Sequence, residues 1–343
     1  MKGRQIILDH LGDVEAAALM VDGKLDDLLI DRPGAPRPGA IYLARTERQA
    51  KGQGGIFLAA GDERFWLRQS KGLSPGEDLL VQVSGHAEPG KAPPVTPSLT
   101  FKSRYVIVTP HAPGVNIARR LRDEDERDRL KLVALEALAG RDWGVILRSS
   151  CEGSDADEIA DDIAQMVDLA AQTLDYKGLP ALVHEGDGPH LTAWREWTAP
   201  AEVVTEPGGF EHHGVLDALA GLSRPMMRAE SATLYIEPTR ALVAVDVNTG
   251  ADMSPAAALK ANLAAAKALP RGLRLRGLGG RVVVDFAPMP KGQRRQLEQA
   301  LKAAFRTDPI ETVLAGWTPL GQYEMQRKRE RLPLAETLPK DLK

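Results

Sequence analysis

The sequence predicts a multidomain α/β protein, and three stretches predict it. Residues 240–290 read strand, helix, strand, each strand a short Val/Ala run carrying one acid near its C-terminal end (RALVAVDVNTG and GGRVVVDFAPM). Residues 40–101 hold only short strands divided by glycine turns, the pattern of a small closed barrel of the oligonucleotide-binding (OB) kind. Residues 103–180 open on a strand and continue through two helical runs, each begun by acids. With 343 residues, 43% apolar and 27% charged, the chain has core enough for roughly two to four modules.

Composition narrows the function classes. A formal net charge of −3 gives no global attraction for nucleic acid, so any basic surface must be local. The single Cys151 excludes an intramolecular disulfide framework and any multi-cysteine metal site, as expected in a reducing cytoplasm. Neither a signal-peptide core nor a membrane-spanning run is present, so no membrane partner is expected.

In chain order, residues 1–32 alternate as strands (QIILDH, EAAALMVDG, KLDDLLIDR) before the linker RPGAPRPG. The barrel strands follow as AIYLARTER, GGIFLAA, RFWLRQ and DLLVQVSG. On such barrels exposed aromatics stack on bases while Lys and Arg follow the backbone, which nominates Phe57, Phe65 and Trp66, with Lys91 and Lys102 nearby. Aromatics in so small a barrel are also its natural core. Next come the strand RYVIVTP, a basic step at Arg119 and Arg120, and helices around 123–139 and 155–175, whose acidic starts complement the helix dipole. Between the helices stands the strand WGVILRSS. It ends in Arg148 and Ser149, where a guanidinium beside a hydroxyl can grip a phosphate. A further strand (PALVHEG), a Trp-rich turn (AWREW) and a short helix after His212 and His213 lead to the last module.

That module carries the chemistry. Ser254 and Pro255 start its crossover helix and Pro270 is expected to close it. The two flanking strands should be parallel neighbours covered on both faces. Alternation then points Ala244, Asp246 and Asn248 one way and Val245 and Val247 the other, with Asp285 in the equivalent place on its strand. Two carboxylates and an amide then converge at the carboxyl edge of the sheet, and the two acids repel unless a proton or cation lies between them. An all-oxygen set suits a hard ion such as Mg²⁺. Around it run three basic clusters: Arg271, Arg274, Arg276 and Arg281; Lys291, Arg294 and Arg295; Arg327, Lys328, Arg329 and Arg331. Together they are expected to face a polyanion.

The blocks VDVNTGA, NLAAAKALPRGLRLRGLGGRVVVDF and LGQYEMQRKR, in that order, resemble the catalytic core of the ribonuclease E and ribonuclease G endoribonucleases. The resemblance implies a ribonuclease-H-like subdomain (1–37 and 180–224, shortened) with an inserted S1-type OB barrel (38–102) and a 5′-sensor module (103–179). A deoxyribonuclease-I-like catalytic subdomain (225–343) would follow. It implies that Asp246, Asn248 and Asp285 bind or organise a catalytic Mg²⁺. It also implies that Arg148 and Ser149, in place of the family's Arg-Thr pair, receive the RNA 5′ monophosphate, and that Arg119 and Arg120 line the RNA path. The chain departs in a shorter loop after Asn248, and it stops before the paired-cysteine segment through which family protomers share Zn²⁺. Any homo-oligomer would therefore form without that link.

The resulting expectation is a Mg²⁺-dependent endoribonuclease acting on single-stranded RNA, with Asp246 and Asp285 holding the ion and Asn248 orienting a carboxylate or a bound water. The alternatives are a non-catalytic RNA-binding regulator on the same fold, and a phosphohydrolase of small esters that needs the acids but not the barrel.

Overall fold

The computed structural model describes residues 3–50 (side chains to 47), 54–68, 71–87, 90–252 and 254–339, and the chain divides into two units. The first comprises Met1–Pro33 with Ala201–Lys343, and the second Gly34–Pro200.

The chain begins with a meander of β1 (Arg4–Leu11), β2 (Val14–Val21) and β3 (Lys24–Ile30), turning at Gly12 and Gly23 with positive φ, as the turn signals predict. The second unit then opens with β4 (Ile41–Ala50), β5 (Gly55–Ala60), β6 (Glu63–Leu67), β7 (Asp78–Val83) and β8 (Pro94–Thr96). These five close on themselves in the order β4-β5-β6-β8-β7, with β7 returning to pair with β4, an arrangement consistent with an OB-type barrel. The interior is filled by Ile56, Leu58, Phe65, Leu67, Val81 and Val83, two alternate residues from each of β5, β6 and β7.

Four further strands make the sheet β11-β12-β10-β9: β9 (Phe101–Lys102), β10 (Val106–Thr109), β11 (Gly114–Ile117) and β12 (Gly144–Leu147). Helices α1 (Glu124–Ala137) and α2 (Ala156–Leu174) pack on it through Leu130, Ile159, Ile163 and Val167. Asp123 and Asp155 cap them, each accepting from backbone N–H groups of the first turn, so the acidic runs are helix starts as expected. β13 (Ala181–His184) pairs with β4, so PALVHEG joins the barrel side and the segment 180–224 is split rather than kept as one module. AWREW is not a turn but the end of helix α3 (Pro189–Glu196), which Pro189 starts at its first position.

Back in the first unit, β14 (Glu202–Val204) lies parallel to β1 and extends the meander to β14-β1-β2-β3. Short helices α4 (Gly209–His212) and α5 (Val215–Leu222) cover it through Phe210, Val215 and Leu219. The rest builds one six-stranded sheet, β15-β16-β17-β18-β20-β19: β15 (Met226–Ala229), β16 (Ala232–Pro238), β17 (Val243–Asn248), β18 (Gly280–Asp285), β19 (Thr312–Trp317) and β20 (Tyr323–Arg327). Helices α6 (Pro255–Leu275) and α7 (Arg294–Thr307) lie on its inner face, and α8 (Leu334–Thr337) follows.

Two expectations about this sheet are corrected. Pro270 does not end α6, which runs on to Leu275. An interior proline costs roughly 3 kcal/mol of helix propensity, but the last turns are held by buried Leu269 and Leu273 and by Arg271 and Arg274, which donate to the β3 carbonyls of Leu25 and Asp26. Nor are β17 and β18 covered on both faces. Val243, Val245, Val247, Val282 and Val284 are buried against the helices, while Asp246, Asn248, Arg281 and Asp285 face solvent. Both helices occupy one side, so the alternation leaves an open face.

Candidate active site

On that open face β17 and β18 run parallel with Asp246 directly beside Asp285 in the register. Adjacent strands lie about 4.8 Å apart, so the two carboxylates stand side by side at the C-terminal ends of neighbouring strands. Asn248 Nδ2 donates to Asp246 Oδ2 at 2.6 Å, which fixes the direction of that carboxylate. Both acids and the amide are exposed. Two such charges about 4 Å apart repel by only about 1 kcal/mol in water, so the pair is tolerated alone and gains when a cation lies between. Among the described residues no group of three or more His, Cys, Asp or Glu side chains is placed to hold a metal. The donor set is therefore two carboxylates with an amide beside them. It fits Mg²⁺, which takes one or two protein carboxylates and completes its shell with water and substrate phosphate oxygens.

A buried asparagine that the sequence reading passed over supports this edge. Asn262 of α6 is fully buried, donates through Nδ2 to the Ala287 carbonyl at 2.8 Å and accepts from the Ala287 N–H at 3.0 Å. This two-way bond ties the helix to the segment that leaves β18 two residues after Asp285. The signal was available: an Asn on a helix face otherwise made of Ala258, Ala261, Ala265 and Leu269 must satisfy its amide internally.

The three basic clusters do not serve one purpose, and five of their members are corrected. Arg274, Arg276 and Arg327 are buried, and Arg271 and Arg331 are half-buried. Arg274 donates to Asp308 at 2.8 Å and lies 3.3 Å from Asp26 and Asp27; Arg327 donates to the same Asp308 at 3.1 Å and to Thr312 at 2.9 Å. Arg331 grips Asp27 with both Nη atoms. Burial would raise the Asp27 carboxyl, but Arg331 and Arg274 outweigh it and hold it below the usual carboxylate range. Arg271, Arg274 and Arg331 tie the meander to the last module inside the first unit, while Arg327 braces Asp308 and Arg276 donates to the Arg224 carbonyl at 3.0 Å. Arg281, Lys291 and Arg295 remain exposed, as do Lys328, paired with Glu330 at 2.7 Å, and Arg329. The Arg294 guanidinium carbon lies over the Trp317 ring at 4.3 Å, and Trp317 packs in turn on Phe286 and Tyr323. A cavity of about 540 Å³ between α6, α7 and Asp26 is lined by Lys267, Arg271 and Arg274 and not by the paired carboxylates.

In the second unit the barrel aromatics separate. Phe65 is wholly buried, pairs with Tyr42 in the barrel interior, and is corrected from base contact to core. Phe57 and Trp66 take the outward phase. They face each other across β5 and β6 with centroids 4.8 Å apart, and Arg64 lies 4.1 Å over Phe57. Trp66 lies so close on Gly55 that a Cβ there would meet its ring at 2.3 Å, so only glycine admits this ring placement. Lys91 is exposed, Lys102 belongs to β9 rather than the barrel, and Arg119 and Arg120 are exposed in the turn after β11.

Arg148 and Ser149 stand where β12 passes into a single 3₁₀ turn, Ser149–Cys151. Arg148 donates to the carbonyls of Ser103 at 2.7 Å and Arg195 at 3.3 Å, and pairs with Glu196 at 2.5 Å. Arg195 pairs with Glu196 and Asp187 in turn. Burial alone would raise the Glu196 carboxyl, yet the two guanidiniums keep it below its usual range and ionised. A carboxylate of the chain thus occupies the guanidinium expected to grip phosphate, a competitor that no local sequence signal reveals. Burial pushes the Cys151 thiol up to about 12, which makes it an inert core residue.

The fold and site define an α/β protein that presents two adjacent carboxylates and an amide on an open sheet in one unit and a barrel consistent with the OB type in the other. Known proteins sharpen this. A sequence profile of the "Ribonuclease E/G family" matches residues 100–205 and 201–330. The chain is 29% identical to ribonuclease G of Salmonella typhimurium over 357 residues, covering 85% of this chain and 73% of that protein. It is 29% identical to ribonuclease G of Haemophilus influenzae over 404 residues (98% and 82%), and 26% identical to ribonuclease E of Nostoc over 388 residues (95% and 56%). The chain belongs to the ribonuclease E/G family. It spans a little over half of the ribonuclease E relative and about three quarters of the Salmonella ribonuclease G. Among the described residues no helix is long and apolar enough to cross a membrane.

Proposed function

We propose that this protein is a Mg²⁺-dependent endoribonuclease that hydrolyses phosphodiester bonds of single-stranded RNA in RNA processing or decay. The observation that carries the reading is the register pairing of Asp246 with Asp285 on the open face, with Asn248 holding Asp246 in orientation. The names of its relatives, ribonuclease G and ribonuclease E, support the substrate class. The same reading assigns a ribonuclease-H-like topology to β14-β1-β2-β3, supported by a meander whose fourth strand is parallel to the first, and a deoxyribonuclease-I-like one to the six-stranded sheet. It places the protein in the cytoplasm, where the free Cys151 stays reduced.

In this mechanism Asp246 and Asp285 would hold the ion, and the Asn248 amide keeps the Asp246 carboxylate in one orientation. The ion, when bound, supplies charge neutralisation at the scissile phosphate and activation of the attacking water. Exposed Arg281, Lys291 and Arg295 draw in the phosphate backbone. The Phe57–Trp66 pair with Arg64 offers stacking faces to unpaired bases, and exposed Lys91, Arg119 and Arg120 add positive charge to the same unit. Arg148 and Ser149 receive a 5′ monophosphate once Glu196 yields. The products carry 5′ phosphate and 3′ hydroxyl ends.

The test is incubation of a labelled single-stranded RNA with and without Mg²⁺, using the wild type, Asp246→Asn and Asp285→Asn. Internal cuts that need Mg²⁺ and vanish in both variants are expected. RNA binding without cuts would make the protein a non-catalytic regulator, and hydrolysis of small phosphate esters alone would replace the proposal with a phosphohydrolase.

A further inference from the structure

The open face carries one more side chain in the same row as the two acids. β16 pairs antiparallel with β17, and the residue directly opposite Asp246 is Tyr235. The row therefore reads Tyr235, Asp246, Asp285 across three adjacent strands. Directly opposed side chains in an antiparallel pair have Cβ atoms about 4.5–5.5 Å apart, so the ring stands one strand away from the candidate ion site. Its placement is fixed by its neighbours: Leu234 and Ile236 are buried in the core, which leaves Tyr235 on the solvent side of the pleat.

An aromatic is an unusual choice for this position. The other side chains of that face on β16 and β17 are Thr233, Glu237, Ala244, Asp246 and Asn248, small or polar groups suited to water. Tyr235 is 37% exposed, and among the described residues its ring has no ring or cation partner and its hydroxyl no hydrogen bond. Every other aromatic of the six-stranded sheet is engaged: Trp317 bonds Glu298 and packs on Tyr323, and Tyr323 is buried. A tyrosine has only two side-chain torsions to fix, so a ring held upright on a strand offers a flat face at little entropic cost.

We infer that Tyr235 is a substrate-positioning and specificity-determining residue: its ring stacks on the base of a nucleotide flanking the scissile phosphate while the acids hold the ion. This rests on the reading of Asp246 and Asp285 given above. Stacking tolerates any base, so Tyr235 sets the position of the cut and requires an unstacked, single-stranded nucleotide beside it rather than a particular base.

The test compares wild type, Tyr235→Phe and Tyr235→Ala on an RNA oligonucleotide with one cut site, and on versions with a single abasic residue at each position flanking that site. Phe keeps the ring and should stay within about two-fold of wild-type kcat/KM, whereas Ala should lose roughly 5- to 150-fold, the range of base stacking on an aromatic. One abasic position should cost the wild type a similar factor and cost the Ala variant nothing. That interaction separates stacking from a structural role, which would lower all substrates alike. Full activity in Tyr235→Ala, an abasic penalty unchanged by the substitution, or a loss in Tyr235→Phe equal to that in Ala would each overturn the inference. If the wild type cuts no RNA, the nuclease reading has failed separately. The same comparison is then read as oligonucleotide affinity by fluorescence anisotropy: weaker binding of Tyr235→Ala that ignores the abasic position supports stacking, and equal affinity overturns it.

Discussion

Asp308 offers the sharpest check on the claim that the arginines around the six-stranded sheet are structural. Its side chain is fully buried, accepts from Arg274 at 2.8 Å and from Arg327 at 3.1 Å, and Arg327 is itself wholly buried. Asp308→Ala leaves Arg327 with only the Thr312 hydroxyl, while Arg274 keeps Asp26 and Asp27. Removing one partner of a buried pair costs about 3–5 kcal/mol. Because Arg274 is still compensated, the lower end applies, about 3 kcal/mol. For a unit of this size each kcal/mol moves the melting temperature by about 2–4 °C, so thermal unfolding followed by circular dichroism should shift down by about 6–12 °C. Arg327→Met should fall by a similar amount, and the double variant Asp308→Leu/Arg327→Met should lose less than the sum, because no charge is left uncompensated. RNA affinity measured well below the transition should be unchanged in all three. A shift below about 1 °C, or a Tm preserved while RNA affinity drops, would return these residues to the RNA-binding surface and refute the structural assignment.

Four further outcomes follow from the same geometry. The Asp27 carboxyl is held below its ordinary value of about 4, so its stabilisation is present above that pH and is lost as pH falls through the lowered native value. The stability gap between wild type and Asp27→Asn should be constant from about pH 5 to 8 and shrink below about pH 4; a gap that grows on acidification contradicts this. Glu196→Gln removes the carboxylate that competes for Arg148, so the ratio of cleavage rates on 5′-monophosphorylated over 5′-triphosphorylated RNA should rise, by up to about ten-fold for loss of one charged competitor. An unchanged ratio would separate Arg148 from end sensing. Mg²⁺ at about 100 times its Kd should stabilise the wild type by about 2.7 kcal/mol and leave Asp246→Asn and Asp285→Asn almost unaffected in the same thermal assay; equal shifts in all three would place the ion elsewhere. Asn262→Ala breaks both bonds to Ala287 and should cost about 2–3 kcal/mol, with a fall in kcat that Asn262→Ser does not fully restore. Unaltered kcat in a folded Asn262→Ala protein would remove its positioning role.

What was legible in the sequence was whatever depends on local pattern. Strand alternation placed Asp246, Asn248 and Asp285 on one side of the pleat, and the strand-helix-strand order made their strands parallel neighbours; both follow from period and chirality over short spans. The helix starts at Asp123, Asp155 and Ser254 were readable for the same reason, since a cap acts within three residues. The fate of Pro270 was not, because the contacts that carry the helix past it come from β3, some 245 residues earlier. The family name could be reached from three separated blocks, but it says nothing about which arginine is paired with which buried acid.

The misreading of the basic clusters has a definite physical origin. A run of Arg and Lys in sequence is neutral evidence: the same residues form an RNA-facing surface or a buried lattice, according to whether distant acids reach them. Here Asp26 and Asp27 from the meander and Asp308 after α7 do so, removing Arg274, Arg327 and Arg331 from the surface. What remains to attract a polyanion is a smaller exposed set, Arg281, Lys291 and Arg295, of which Arg281 shares the open face of β18 with Asp285. The attraction this set provides should therefore be modest and salt-sensitive. Each phosphate contact on a single strand contributes a slope of about −0.7 in the logarithm of affinity against that of salt concentration. Up to three contacts from Arg281, Lys291 and Arg295 predict a contribution of about −2, and Arg281→Ala should reduce its magnitude by about 0.7 where Arg327→Met does not. Equal slopes for wild type and Arg281→Ala would show that RNA does not cross the open face, and the acidic pair would then lie outside the substrate's path.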